Sequence, residues 1–231
     1  MRRGVGYTLI VSGEDVDVEK LKLAAEDLIY LMSRGYNKSS SLKFISDHYN
    51  LGKISRYILA RGVYPYDYVI EVSKKTLKVD SLRGEEVFID GYNVLITVEA
   101  AILGLPLFVG NDGIVRDIRC IFGKYHISET TRNSLGIIVG FLKENEVSSA
   151  HFLYDSQVSK SGILSSMTRE VMREFRLEGS SKAIKDVDSF LRRCEGVVCT
   201  SDSGIIKYLR KMFDLGGYLS KRQNARIIKI V

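Results

Sequence analysis

Between residues 18 and 32 the apolar positions Leu21, Ala24, Ala25, Leu28, Leu31 and Met32 return at helical spacing, and Glu19, Lys20, Lys22, Glu26 and Asp27 largely fill the opposite side. That stripe predicts a surface helix with one buried face. Gly35 is placed to end it, and Ser39-Ser40-Ser41 to cap a shorter helix carrying Leu42, Ile45 and Tyr49. Asn50-Leu51-Gly52 reads as a turn before a third helix, with Ile54, Ile58 and Leu59 on its apolar side and Lys53, Arg56 and Arg61 as its cations. Helix, three-residue turn, helix is the outline of a helix-turn-helix. From 62 to 86 the helical period fades through Pro65, the run Val69-Ile70, and then Leu77 and Val79, so a β-like linker is expected, with a domain boundary near Gly84.

Beyond that boundary the pattern alternates. Strands are expected at 86–90, 148–154, 196–200 and 225–231, and helices around 93–103, at 130–144, within 163–177 and 182–194, and at 204–213, with a loop or hairpin at 105–118. The alternation predicts an α/β fold, a mostly parallel sheet flanked by helices, preceded by the small mainly helical domain. The expected domains are 1–84 and 85–231. In such a sheet, ligand groups gather at the carboxyl edge, where chain reversals leave a crevice.

The chain has 231 residues, 45% of them hydrophobic, which is enough for folded domains and argues against disorder. A formal charge of +6 suits a polyanionic partner, RNA foremost and DNA second, although a modest excess can also serve solubility. Cys120, Cys194 and Cys199 lack paired spacing, which speaks against a zinc ribbon or a disulfide framework and for reduced thiols in a cytoplasmic protein. No apolar stretch approaches the ~20 residues needed to span a bilayer, so no membrane association is expected. Gly110-Asn111-Asp112-Gly113 lacks the lysine and Ser/Thr of a phosphate loop, which disfavours an ATPase.

The candidate chemistry lies at the strand ends. Val87-Phe88-Ile89 delivers Asp90, His151-Phe152-Leu153-Tyr154 delivers Asp155, and Gly196-Val197-Val198-Cys199-Thr200 delivers Ser201-Asp202-Ser203. Each aspartate alone reads equally well as a helix cap or a loop-ordering group. Several converging without a cation would repel one another, and a divalent metal would relieve that repulsion. Asp186 and Asp188 sit in the helical pattern of Ala183, Val187, Phe190 and Leu191, where an i,i+2 pair cannot share one face; a break near Lys185 would make Asp186 the cap and turn Asp188 inward.

Phe88-Ile89-Asp90-Gly91-Tyr92-Asn93-Val94, Lys185-Asp186-Val187-Asp188 and Thr200-Ser201-Asp202-Ser203 together resemble the PIN/NYN-like group of metal-dependent ribonucleases, over roughly 86–210. Asp90 and Asn93 match the first strand-end motif of the NYN branch. Lys185 and Asp188 match a later Lys-Gly-Val-Asp-like segment in which Asp186 replaces the glycine. Ser201, Asp202 and Ser203 match a Ser-Asp-Ser-Asp-like loop, with Gly204 where its second aspartate often falls. The resemblance implies a PIN-like fold and a metal-dependent endoribonuclease.

On that reading, Asp90, Asp188 and Asp202 are the candidate ligands of Mg²⁺ or Mn²⁺, hard ions suited to carboxylate oxygen, and with Asp155 they form the candidate catalytic set. Asn93, Ser201 and Ser203 are expected to hold substrate or a ligand carboxylate, although capping accounts equally well for the serines. Lys207, Arg210 and Lys211 are expected to guide an RNA backbone, against the default of a solvated face. The N-terminal helices are a candidate surface for a protein partner or a second copy of the chain. The competing expectation is a non-catalytic nucleic-acid-binding or regulatory protein with a degenerate nuclease fold.

Overall fold

The computed structural model describes residues 8–11, 14–119 and 125–231, so Cys120 lies outside the described residues. In chain order the elements are strands β1 (Thr8–Val11) and β2 (Glu14–Asp17), helices α1 (Val18–Ser33), α2 (Lys38–His48), α3 (Lys53–Gly62) and α4 (Tyr66–Lys75), a 3₁₀ turn at Val79–Leu82, β3 (Glu86–Asp90) and α5 (Gly91–Ile102). Then follow β4 (Leu107–Val109), β5 (Val115–Asp117), α6 (Glu129–Glu144), β6 (Ser149–Asp155), α7 (Ser161–Glu174), β7 (Gly179–Ile184), α8 (Val187–Leu191), β8 (Val197–Cys199), α9 (Ser203–Ile206), α10 (Leu215–Arg222) and β9 (Ile227–Lys229). None of the described helices is long and apolar enough to cross a membrane.

The described residues cluster into two compact units. Of these residues, those up to Ser73, 106–119 and Ile227–Val231 form one, and Lys74–Leu105 and 125–226 form the other. The division is therefore not a single cut near Gly84. The β4–β5 hairpin and β9 join the first unit because β4 pairs antiparallel with β5 and parallel with β9, and Phe108, Ile118, Ile228 and Ile230 pack into one core with the buried faces of α1 and α3.

In the first unit α1 starts at Asp17, whose carboxylate accepts a bond from the Lys20 amide at 3.0 Å, and buries Leu21, Ala24, Ala25, Leu28 and Met32. The cap of α2 is Asn37 rather than the serine run: its side chain accepts from the Ser39 and Ser40 amides at 2.9 and 3.3 Å, which puts the serines inside the first turn. Asn50 takes a positive φ of 45° and Gly52 opens α3, so the helix-turn-helix outline is present. Of its cations, Arg56 is tied to the Leu51 carbonyl and Asp47, and Arg61 to Tyr57 and Asp117. The Asn111-Asp112 turn serves the structure, since Arg116 and Asp112 form a fully buried ion pair, with Nη1 to Oδ1 at 2.8 Å.

One correction falls at the supposed β-like linker, where Tyr66–Lys75 is helical. Pro65 stands just ahead of its first turn, where a missing N–H costs nothing. Val72 is its one buried residue.

The second unit is built on a four-stranded, wholly parallel sheet in the order β7-β6-β3-β8, flanked by helices. Its core joins Val87 and Ile89 of β3, Ala150, Phe152 and Tyr154 of β6, and Val197 and Cys199 of β8 to α5, α6, α7 and α10. The stretch expected to form a helix within 182–194 instead opens with β7, paired along β6 from Ala150↔Gly179 to Asp155↔Ile184. Gly179 makes that start feasible: its φ is +134°, and a Cβ there would stand 1.9 Å from the Ala150 carbonyl oxygen. The helix expected at 204–213 is only the single turn α9. The chain then bridges to β8 through Met212 and restarts as α10, capped by Asp214 onto the Gly217 amide.

Candidate functional site

The carboxyl edge of the parallel sheet opens into a cleft of ≈ 510 Å³ whose wall includes Asp90, Tyr92, Asn93, Asp155, Lys185, Asp186, Asp188 and Asp202. Topology brings these residues together. Asp90 closes β3, Asp155 closes the neighbouring β6, Asp202 follows β8 on the other side of β3, and Asp188 lies in α8 after β7. All four acids singled out in the sequence thus face one cleft, together with Asn93.

They are held differently. Asp202 caps α9, accepting from the Gly204 amide at 2.6 Å, and Asp186, at φ 56°, caps α8 through the Ser189 amide at 3.1 Å. Asp155 orders its loop by accepting from the Gln157 amide at 2.8 Å. Asp90 makes no capping bond; the backbone amide of Asn93 exerts only a weak pull on it. Its Oδ2 instead accepts from Thr200 Oγ1 at 2.8 Å and Asn93 Nδ2 at 2.9 Å, and Ser201 Oγ in turn donates to Asn93 Oδ1. Asn93 and Ser201 therefore support the Asp90 carboxylate, whereas Ser203 begins α9 and is not part of the cleft wall.

The electrostatics follow from this geometry. Burial pushes the Asp90 carboxyl up to about 6, helped by the Asp202 charge and opposed by the bonds from Thr200 and Asn93. Asp188 is also raised, by burial and by Asp202, with Asp186 and Asp155 adding to the effect and Arg192, 3.6 Å away, opposing it. Tyr92 rises to about 12 through burial and the charge of Asp155. Asp90 and Asp188 thus both feel the charge of Asp202.

The expected backbone-guiding cations are placed otherwise. Lys211 is paired with Glu85 at 2.6 Å, Lys207 lies over the Tyr208 ring at 4.8 Å, and Arg210 is exposed; none lines the cleft. The cation in the wall is Lys185, a member of the sequence motif to which spacing assigns no role of its own. Thr200 is a residue the motif contains but does not single out, although a hydroxyl closing an apolar strand beside a buried acid is a readable signal. Tyr92, packed against Tyr125 and Tyr154 with centroids 5.3 Å apart in each case, gives the cleft an aromatic side.

The donors at the cleft are carboxylate oxygens, which in ligand chemistry suit Mg²⁺ or Mn²⁺. As the side chains stand, no group of three His, Cys, Asp or Glu among the described residues is drawn together tightly enough to hold an ion. Gly204 bears on this. A Cβ there would sit 3.0 Å from Asp202 Oδ1, so the capping geometry of Asp202 crowds the position where a second aspartate would stand.

Fold and site define an α/β protein with an acidic cleft at the carboxyl edge of a parallel sheet. The chain belongs to the family described as a domain of unknown function, DUF5616, which matches residues 79–218; residues 20–75 match a second such family, DUF434. It is 39% identical over 193 residues to an uncharacterized protein of Methanocaldococcus jannaschii, covering 83% of this chain and 90% of that one. No solved structure matches it.

Proposed function

We propose that the α/β unit is a PIN/NYN-like endoribonuclease that hydrolyses RNA phosphodiester bonds with Mg²⁺ or Mn²⁺. The observation that carries this reading is Asp90, an acid at a strand end whose side chain makes no full capping bond, is held by Thr200 and Asn93, and is raised to about 6 in a cleft with four further carboxylates. Such a group is held in an unfavourable state for its own fold, and perturbed acids in a cleft mark functional sites. A bound divalent ion would screen charge on the scissile phosphate and favour hydroxide over water.

The chain's own residues have separable roles. Asp90, Asp188 and Asp202 would supply the ligand oxygens. Asn93 and Thr200 fix the orientation of Asp90, and Ser201 fixes Asn93. Asp155 would hold the attacking water, whose oxygen bonds to phosphorus as the bond to the leaving ribose oxygen breaks and a proton passes to that oxygen. Lys185 would meet a non-bridging phosphate oxygen. The formal charge of +6 favours approach of a polyanion.

A second reading, a nucleic-acid-binding or regulatory protein with a degenerate nuclease fold, draws on the Asp202–Gly204 capping geometry and the open arrangement of the acids. Incubation of the purified chain with labelled RNA and Mn²⁺ separates the two. Cleavage lost in both Asp90→Asn and Asp202→Asn, with the fold retained, supports the nuclease. Full cleavage in both variants refutes the assignment, and RNA binding without any cleavage supports the second reading.

A further inference from the structure

The first unit carries a second pocket, of ≈ 560 Å³, formed where the end of α1 meets the start of α4 and lined by Ser33, Tyr36, Lys38, Pro65, Tyr66 and Asp67. Tyr36 and Tyr66 are each 63% exposed, so two aromatic faces stand in water at the mouth of one pocket. Neither ring is needed by the core of that unit. Lys38 lies between them in sequence, with its ammonium over the Tyr64 ring, 3.7 Å from the centroid.

Lys38 is an uncomfortable cation. Burial lowers it to about 8, the Arg116 charge adds to that, and the Asp112 charge opposes it by less. Asp67, the acid of the wall, accepts from the Tyr68 amide at 2.9 Å. Among the described residues no carboxylate is within ion-pair distance of Lys38. An anion entering the pocket would supply the counter-charge that the fold withholds. Flanking aromatic faces beside one cation suit a ligand that is planar and anionic at once. A nucleotide in a single strand has this character, its base free to stack and its phosphate to meet the amine.

We propose that this pocket is a binding site for single-stranded nucleic acid, seating one nucleotide with its base against Tyr36 or Tyr66 and its phosphate on Lys38. The site is independent of the acidic cleft and of any cleavage there. It also differs from a helix-turn-helix reading of α2 and α3, because Arg56 and Arg61 are engaged with acids of the protein itself. Phosphate binding holds the Lys38 proton in place, so binding weakens as pH rises past about 8.

The test is fluorescence anisotropy with a labelled single-stranded oligonucleotide, as RNA and as DNA, on the full chain in EDTA, where metal-dependent cleavage plays no part. Tyr36→Ala and Tyr66→Ala, both at exposed positions and checked by thermal melting, are expected to bind roughly 5- to 100-fold more weakly where the base stacks. Lys38→Gln is expected to weaken binding of both oligonucleotides and to lower the dependence of log affinity on log salt by about 0.7. Lys38→Arg, whose charge persists at pH 9, is expected to retain at that pH the affinity that the parent loses. Variants that bind as the parent does, with an unchanged salt slope, would overturn the site. Loss in Lys38→Gln with none in either tyrosine variant, and equal competition by inorganic polyphosphate, would overturn the base-stacking part.

Discussion

Replacing Asp90 by asparagine should make the protein more stable at neutral pH. Its carboxyl stands at about 6 in the folded chain against an ordinary 3.8. Because the folded value is the higher, the contribution is favourable in acid and is lost between those two values as pH rises. About two pKa units correspond to a cost of about 3 kcal/mol for the ionised group above pH 6. Asparagine carries no charge, yet it cannot accept both of the bonds that converge on Oδ2 with its amide oxygen equally well, which returns about 1 kcal/mol. The net gain is about 2 kcal/mol, or roughly 4–8 °C in melting temperature for a chain of this length. Melting parent and variant side by side from pH 4 to pH 8 reads the effect: the gap should open between pH 4 and 6.5 and stay constant above. Excess Mn²⁺ should stabilise the parent by about 3 kcal/mol at a hundredfold excess over the dissociation constant, and the variant little. A variant less stable than the parent at pH 7.5, with a gap that ignores pH, would refute the account of Asp90 as a strained carboxylate.

Three further outcomes follow from local geometry. Asp112→Ala leaves the fully buried Arg116 without its counter-charge and should cost about 3–5 kcal/mol in urea unfolding. Gly179→Ala drives a methyl into the Ala150 carbonyl at a φ that L-residues avoid, and should cost at least ~2 kcal/mol by the same measurement. Lys185→Ala, in the cleft wall, should reduce RNA cleavage by roughly 10-fold or more, while Lys211→Ala, which removes a partner of Glu85 outside the cleft, should leave the rate within about twofold.

What can be read along the chain is what repeats. The stripe of α1, the apolar runs of β3, β6 and β8 and the acids they deliver are legible because period and strand-end placement are properties of sequence. β7 is not, because Gly179, Ser180, Ser181 and Lys182 form an edge strand with no apolar run, whose pairing with β6 depends on a partner about thirty residues earlier. α4 is hidden by Pro65 and the β-branched pair Val69-Ile70, which read as strand-like, and α9 and α10 by the bridge at Met212 that splits them. At the site, Asp90, Asn93, Asp155, Asp188 and Asp202 reach one cleft as the strand order suggests. Which of them caps a helix and which does not is decided by hydrogen-bond geometry, and spacing alone is silent on it. Lys211 falls outside the cleft for a related reason, since its partner Glu85 is 126 positions away.

The pairing of β4 with β9 also orders events during synthesis. The first unit is assembled from pieces on either side of the second, and Ile228 and Ile230 belong to the same core as Leu28 and Ile58. When the helices α1 to α3 leave the ribosome, part of the surface they will bury against is still a hundred or more codons from being translated. The α/β unit, whose four strands all lie between 86 and 199, has its sheet available first. A chain cut after residue 84 would carry the helices without the hairpin and strand that close their core, exposing apolar surface in a fragment that looks, on sequence alone, like a finished domain.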